Sequence, residues 1–450
     1  MSNRRGYIAY LHACVMLMGS MMIAADSASG SEASSLTLQE ALQIADHHAR
    51  PIQIAQQEVS IARGQITEVR ADALPQLGLH FDYTHIDEVP ILPSGEAAIP
   101  LGQRDNYEAA AELQQVLYAG GGIRAAQNLA REYESAAHAK VDHQRTQTAF
   151  QVHQAFNQVL RKQAHVEVAE EAMKLAERNY EIVRQKEEQG ISTSFDRIRA
   201  ESQRSQRSAE QIAAENELEK ARLALFRLLD MPLDSPRTIS GALEVDPPDM
   251  PQDELQSIAR QHRPDLAAAR YEVAMKREGK QVARSDRRPN VVAFGRYQQS
   301  NPDRSYENEW EDEWMVGVRA EMPIFQGGRT RGKLNQSRAR LEQARLQYDD
   351  LLVQAEWEIA QALANIRTTE RLLEAETAFA AESREALRLA TRSYEEGLQE
   401  QIDVLSAQVA LAESERRLAD ATYNQMMAYR ELERATGTLL TNPLMTARKD

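Results

Sequence analysis

The chain has 450 residues, 27% of them charged and 6% aromatic, with a formal net charge of −15. So acidic a balance argues against a nucleic-acid partner, which rewards basic patches. No apolar run approaches the roughly 18 residues that a membrane-spanning helix needs.

The chain opens MSNRRGYIAYLHACVMLMGSMMIAADSASG: an arginine pair, an apolar core, then small residues over 24–30. That order is expected of a secretory signal peptide, residues 1–29, cut between Ala25 and Gly30. Cys14, the only cysteine, falls inside it. LHAC resembles a lipoprotein cleavage box, but the apolar stretch before it is short and carries His12. The expected mature chain has no thiol, so no disulfide or cysteine ligand contributes to it.

Behind the leader, segments recur in order. RPIQIAQQEVSIARGQITEVRADALPQLGLHF from Arg50 matches RPDLAAARYEVAMKREGKQVARSDRRPNVVAF from Arg263 in layout. Both begin Arg-Pro, run helically, and end at Pro75 or Pro289 before a strand-like stretch. LYAGGGIR from Leu117 answers IFQGGRTR from Ile324, with the glycine pairs 207 positions apart. GISTSFDRIRA from Gly190 answers GLQEQIDVLSA from Gly397 at the same separation. A connector rich in proline and acid, 230–254, lies between the halves. Duplication of a long unit is the organising fact.

Residues 30–240 are expected to form the first repeat: a helix, a β-hairpin at about 76–118, a long helix at about 121–189, a turn, and a helix at about 193–229. Residues 241–440 repeat it after the connector and a helix, with a hairpin at about 290–325 and helices at about 328–396 and 400–436. Residues 441–450 are a tail. In the first long helix Val152, Val159, Val166, Met173 and Tyr180 keep one seven-residue row. Ala155, Ala169, Ala176 and Val183 form a second row, interrupted by Lys162. Ile359, Ile366, Leu373, Ala380 and Leu387, with Ala362 and Ala390 alongside, do the same in the second half. Such a seam predicts coiled-coil-like packing. A helix of about 68 residues is on the order of 100 Å long, so the molecule is expected to be a rod or a tube. An exported coiled-coil scaffold or adaptor without a pore shares that signature.

Four intervals alternate. Leu77, Leu79, Phe81 and Tyr83 interleave with Gly78, His80, Asp82 and Thr84; Trp314, Val316, Val318 and Ala320 interleave with Met315, Gly317, Arg319 and Glu321. NYEAAAELQQVLY and NVVAFGRYQQ are weaker copies. Strands of about ten residues, apolar on one side and polar on the other, suit a membrane β-barrel, with Tyr306, Trp310 and Trp314 as an aromatic girdle. A small soluble sheet capped by loops is the alternative. Four strands cannot close a barrel, and an open edge in lipid is not tolerated, so a membrane location requires several chains.

The order of these parts, over about 36–437, resembles the TolC-like outer-membrane efflux proteins. The resemblance implies a mainly α fold with a pair of membrane β-hairpins. Three chains would share a 12-stranded barrel, continued by a long antiparallel helical barrel across the periplasm. It further implies a passive exit duct, docked to a periplasmic adaptor protein and an inner-membrane pump. Gly190 and Gly397, with Ile191 and Leu398, would form the helix-tip turns that face the adaptor. Asp196 and Asp403 fall where the family places acidic aperture residues, although an aspartate there is also a common helix cap. Tyr394 matches a tyrosine that ties the tip shut through hydrogen bonds. Gln399 and Ser406 stand where an arginine and a second aspartate can occur, which leaves the family's salt-bridge latch without its partners.

No catalytic constellation is expected: the chain has no phosphate-binding glycine loop and no GxSxG turn. His138, His143, His153 and His165 lack the i, i+4 spacing that aims two ligands at one metal, and His47 and His48 diverge on a helix. The first four are expected to be solvated helix positions. No cofactor or metal is expected, and drugs, metal ions and secreted proteins are equally compatible cargoes.

Overall fold

A computed structural model describes residues 35–94, 97–241, 251–303 and 307–440. The expected leader with Cys14, the connector stretch 242–250, Tyr306 and the tail 441–450 lie outside the described residues.

In chain order come α1 (Leu38–His48), α2 (Arg50–Ala71), β1 (Gln76–His85), β2 (Ile91–Ser94), β3 (Ala97–Pro100), β4 (Asp105–Ala119), α3 (Gly122–Glu188) and α4 (Ser194–Leu228). Then follow α5 (Gln252–His262), α6 (Pro264–Ser285), β5 (Asn290–Asn301), β6 (Glu311–Glu321), α7 (Arg329–Glu395) and α8 (Gln401–Thr436). The second set repeats the first, except that β2 and β3 form an extra hairpin in the loop between β1 and β4.

α3 and α7 have 67 residues each, which makes both about 100 Å long. No proline or glycine follows Gly122 in α3. Its heptad face supplies Val152, Val159, Ala176 and Val183 to the interior, and α7 supplies Ile359, Ile366, Ala380 and Leu387. Each large apolar side chain removed from water in this way contributes roughly 1.5–3 kcal/mol. Lys162, where the α3 row breaks, faces Glu217 of α4 at 3.8 Å.

Two shorter helices flank each long one. α4 runs back along α3 from the turn and ends beside its middle, where Leu225, Phe226 and Leu229 meet Val152, Phe156 and Val159 together with Ala41 and Ala45 of α1. α2 covers the strand-side half, setting Val59 and Ala62 on Ala137 and Val141. In the second repeat Leu255 and Ala259 of α5 close over Ile359 and Ile366 of α7 and Tyr429 and Leu432 of α8. α6 lies against both α3 and α7, and α3 also touches α8, so the two repeats are one body.

The Arg-Pro pairs open α2 and α6, with proline in the first turn, where its missing N–H costs nothing. The two arginines have diverged. Arg263 is buried and donates to Asp265, Glu358 and the Ala435 carbonyl. Arg50 is exposed and reaches Asp230 at 3.0 Å.

The long strands form one antiparallel sheet in the order β1–β4–β5–β6. Among the described residues, one edge of β1 and one edge of β6 have no partner strand.

Candidate functional site: the sheet faces and the helix tips

Strand register sorts the sheet into two faces. Leu77, Leu79, Phe81 and Tyr83 of β1 stand opposite Leu113, Ala111, Ala109 and Tyr107 of β4. Those positions continue through Gly295 and Tyr297 of β5 to Val316 and Trp314 of β6. The other face carries His80, Asp82, Glu108, Glu112, Arg296, Arg319 and Glu321, and on it Glu108 is paired with Arg296. Among the described residues no layer covers the apolar face: Leu79 is 81% exposed and Val316 74%. A soluble sheet would bury such a face on a second layer. This one presents it outward, as barrel strands present theirs to lipid.

Tyrosines gather around the two tryptophans that the sequence singles out. Trp310 and Trp314 are exposed on the sheet. Tyr107 connects Tyr83 (ring centroids 5.0 Å apart) to Trp310 (6.3 Å), and Tyr297 stands opposite Trp314. Tyr107 and Tyr297 were missed because only strand register aligns them with the tryptophans.

At the far end of the long helices, both turns follow one plan. Gly190 and Gly397 adopt φ of 75° and 76°, the left-handed conformation that stops a helix sharply and costs glycine least. The N–H of Ile191 then donates to the Lys186 carbonyl, and that of Leu398 to the Ser393 carbonyl, each at 2.8 Å. Ile191 and Leu398 are 70% and 74% exposed, and Phe195 and Ile198 stand out beside them.

Asp196 is a cap. Its carboxylate accepts from the Thr193 hydroxyl at 2.7 Å and backbone N–H at 3.1 Å, and from Ser192 at 3.2 Å. The Thr193 hydrogen bonds hold its pKa below the usual carboxylate value, so it is ionised. Asp403 has one long contact of the same kind, from the Glu400 N–H at 3.4 Å, and is exposed. Ser406 donates to the Ile402 carbonyl at 2.7 Å. Gln399 is exposed.

Tyr394 stands beside the turn, half-buried at the end of α7. The Lys186 ammonium of α3 sits 3.9 Å from its ring centroid. Burial, and then the Asp196 charge, push the Tyr394 pKa up. Arg197 reaches back to Glu187 at 2.8 Å, fixing the start of α4 to the end of α3. Two further residues escaped sequence reading, Lys186 and Gln401. Gln401 is buried with both side-chain amide atoms unpartnered among the described residues.

His138 is exposed, as expected of a solvated helix position, whereas His153 and His165 are not. His153 is 5% exposed with Nδ1 unpartnered among the described residues, and burial, aided by Arg430, lowers its pKa to about 4. His165 is half-buried and lies 3.0 Å from Asp420 across the α3–α8 contact.

A profile described as outer membrane efflux protein matches residues 41–230 and 255–438. The chain belongs to that family. This is a family of outer-membrane channels rather than enzymes, and it places the sheet in the outer membrane with the helices extending into the periplasm. Among curated relatives, outer membrane protein OprJ of Pseudomonas aeruginosa is 30% identical over 178 residues, which cover 39% of this chain and 37% of OprJ. Outer membrane protein TolC of Vibrio cholerae is 23% identical over 397 residues, covering 84% of this chain and 86% of TolC. Outer membrane protein VceC of Vibrio cholerae superposes with a TM-score of 0.76 at 22% identity, over 89% of this chain and 96% of VceC. That likeness shows the helical-barrel and β-barrel fold.

Proposed function

We propose that three copies of this chain assemble into an exit duct, which spans the outer membrane and periplasm and exports substrates when docked to a periplasmic adaptor and an inner-membrane pump. The observation that carries the reading is the sheet, with its lipid-suited outer face, charged inner face and two unpaired edges. Unpaired N–H and C=O groups are not tolerated in hydrocarbon, so β1 of one copy pairs with β6 of the next. Three such sheets give twelve strands. Bare apolar side chains on α7, among them Leu346, Val353, Trp357 and Phe379, support the same neighbour contact along the helices.

In this reading Gly190, Ile191, Gly397 and Leu398 form the adaptor-facing tips. Asp403, with Gln399 and Ser406, lines the aperture, and a carboxylate repeated around a pore favours cations. Asp196 acts one step back, fixing the start of α4 beside Tyr394. Trp310 and Trp314, with Tyr83 and Tyr107, form the headgroup-level girdle. The chain itself performs no catalysis, and the pump supplies the energy.

Planar-bilayer conductance of the detergent-purified oligomer tests this. A small, cation-preferring conductance is expected, with the preference reduced in Asp403→Asn and retained in Asp196→Asn. Folded oligomer with no conductance would overturn the duct and favour a pore-less exported scaffold.

A further inference from the structure

Asp82 and Glu108 are directly opposed in the β1–β4 register, on the charged face of the sheet. Like charges at such a position repel. Arg296 pairs with Glu108. Asp82 has no hydrogen-bond or ion-pair partner among the described residues. His80, two residues before Asp82 on the same face, brings Nε2 to 4.0 Å from Glu108 Oε1. One ligand atom from each of His80, Asp82 and Glu108 lies within 4.8 Å of the others.

We propose that these three side chains form a binding site for a divalent transition-metal ion of the zinc, cobalt, nickel and copper class. An imidazole nitrogen with two carboxylate oxygens is a donor set such ions accept, and it is poorly suited to magnesium. Ligands at bond lengths of about 2.1 Å stand roughly 3–4 Å apart, so rotamer adjustments of about an ångström close the set. A strand supplies the rigidity: His80 and Asp82 share a face by their two-residue spacing, and the ladder fixes Glu108 opposite. Arg296 orients Glu108 from β5 and leaves one excess negative charge at the site for the ion to neutralise. The open side leaves positions for water, which suits an exchangeable ion. The facing of this site into a pore rests on the duct reading; the site itself lies within one chain.

The test is a Zn2+ titration of tag-free, full-length protein in detergent, with Cu2+ electron paramagnetic resonance to detect the imidazole nitrogen. Saturable binding of one ion per chain is expected. His80→Ala and Asp82→Asn should each weaken it at least tenfold, and His85→Ala on the same strand should leave it unchanged. No saturable binding, or equal affinity in the His80→Ala/Asp82→Asn double variant, would overturn the site. Conductance measured on the same preparation separates the two proposals: a conducting oligomer without metal binding loses the site and keeps the duct, and a metal-binding oligomer without conductance does the reverse.

Discussion

His153 shows what one buried side chain does to the pH response of a 450-residue chain. Burial favours its neutral form and holds its pKa near 4, against 6.5 in the ordinary case. The unfolded chain therefore binds the proton more readily, so the folded state is at full advantage above about pH 6.5 and loses it as pH falls toward 4. At pH 5 the loss is about 2 kcal/mol per chain. Thermal unfolding of wild type between pH 7.5 and 5 should show it, and His153→Leu should flatten the dependence. At the tip, Lys186→Gln removes the cation from the Tyr394 ring, an interaction of about 1 kcal/mol. We propose that this contact helps hold the tip of the duct shut, and expect a roughly fivefold gain in the conducting fraction of single-channel records, with Tyr394→Phe, which keeps the ring, close to wild type. Lys186 was illegible in sequence because α3 and the end of α7 come together only through tertiary packing. The glycines of both turns were legible because a repeated Gly ahead of a capped helix start is a local signal.

At the scale of the element, the repeats are one design with different local solutions. α8 ends at Gly437 with φ of 75°, whereas α4 is followed by Asp230 at φ 54°, the equivalent place 207 residues earlier. A Cβ on Gly437 would stand 2.8 Å from backbone atoms of His262 and Arg263, so glycine is required by both conformation and space. Gly437→Ala should lower stability by about 2 kcal/mol or more, read by chemical denaturation. Asp230 instead has open surroundings and holds Arg50. Periodicity made the long helices legible, since seven-residue rows survive in sequence whatever they pack against. It did not reveal that α4 and α2 divide the length of α3 between them, with Phe156 at their junction, because that depends on where a returning helix stops.

Across the whole molecule, the sheet is the part that cannot be stable alone. Placing a charge on its outer face at Val316, as Val316→Arg, should cost about 2–4 kcal/mol in lipid, read as loss of the folded oligomer from vesicles. A proline at Leu79 should uncouple the strand ladder and reduce the oligomer seen in crosslinking. What the sequence by itself determined was local and periodic: the alternation of the strands, the heptad seam, the helix-stopping glycines and the internal duplication, each written in residues a few positions apart. The register that opposes Asp82 to Glu108, the aromatic band assembled from four strands, Lys186 over Tyr394 and the burial of His153 were decided only by the tertiary structure. Each joins residues far apart in the chain, and no spacing within one segment specifies which distant strand or helix will lie across from it.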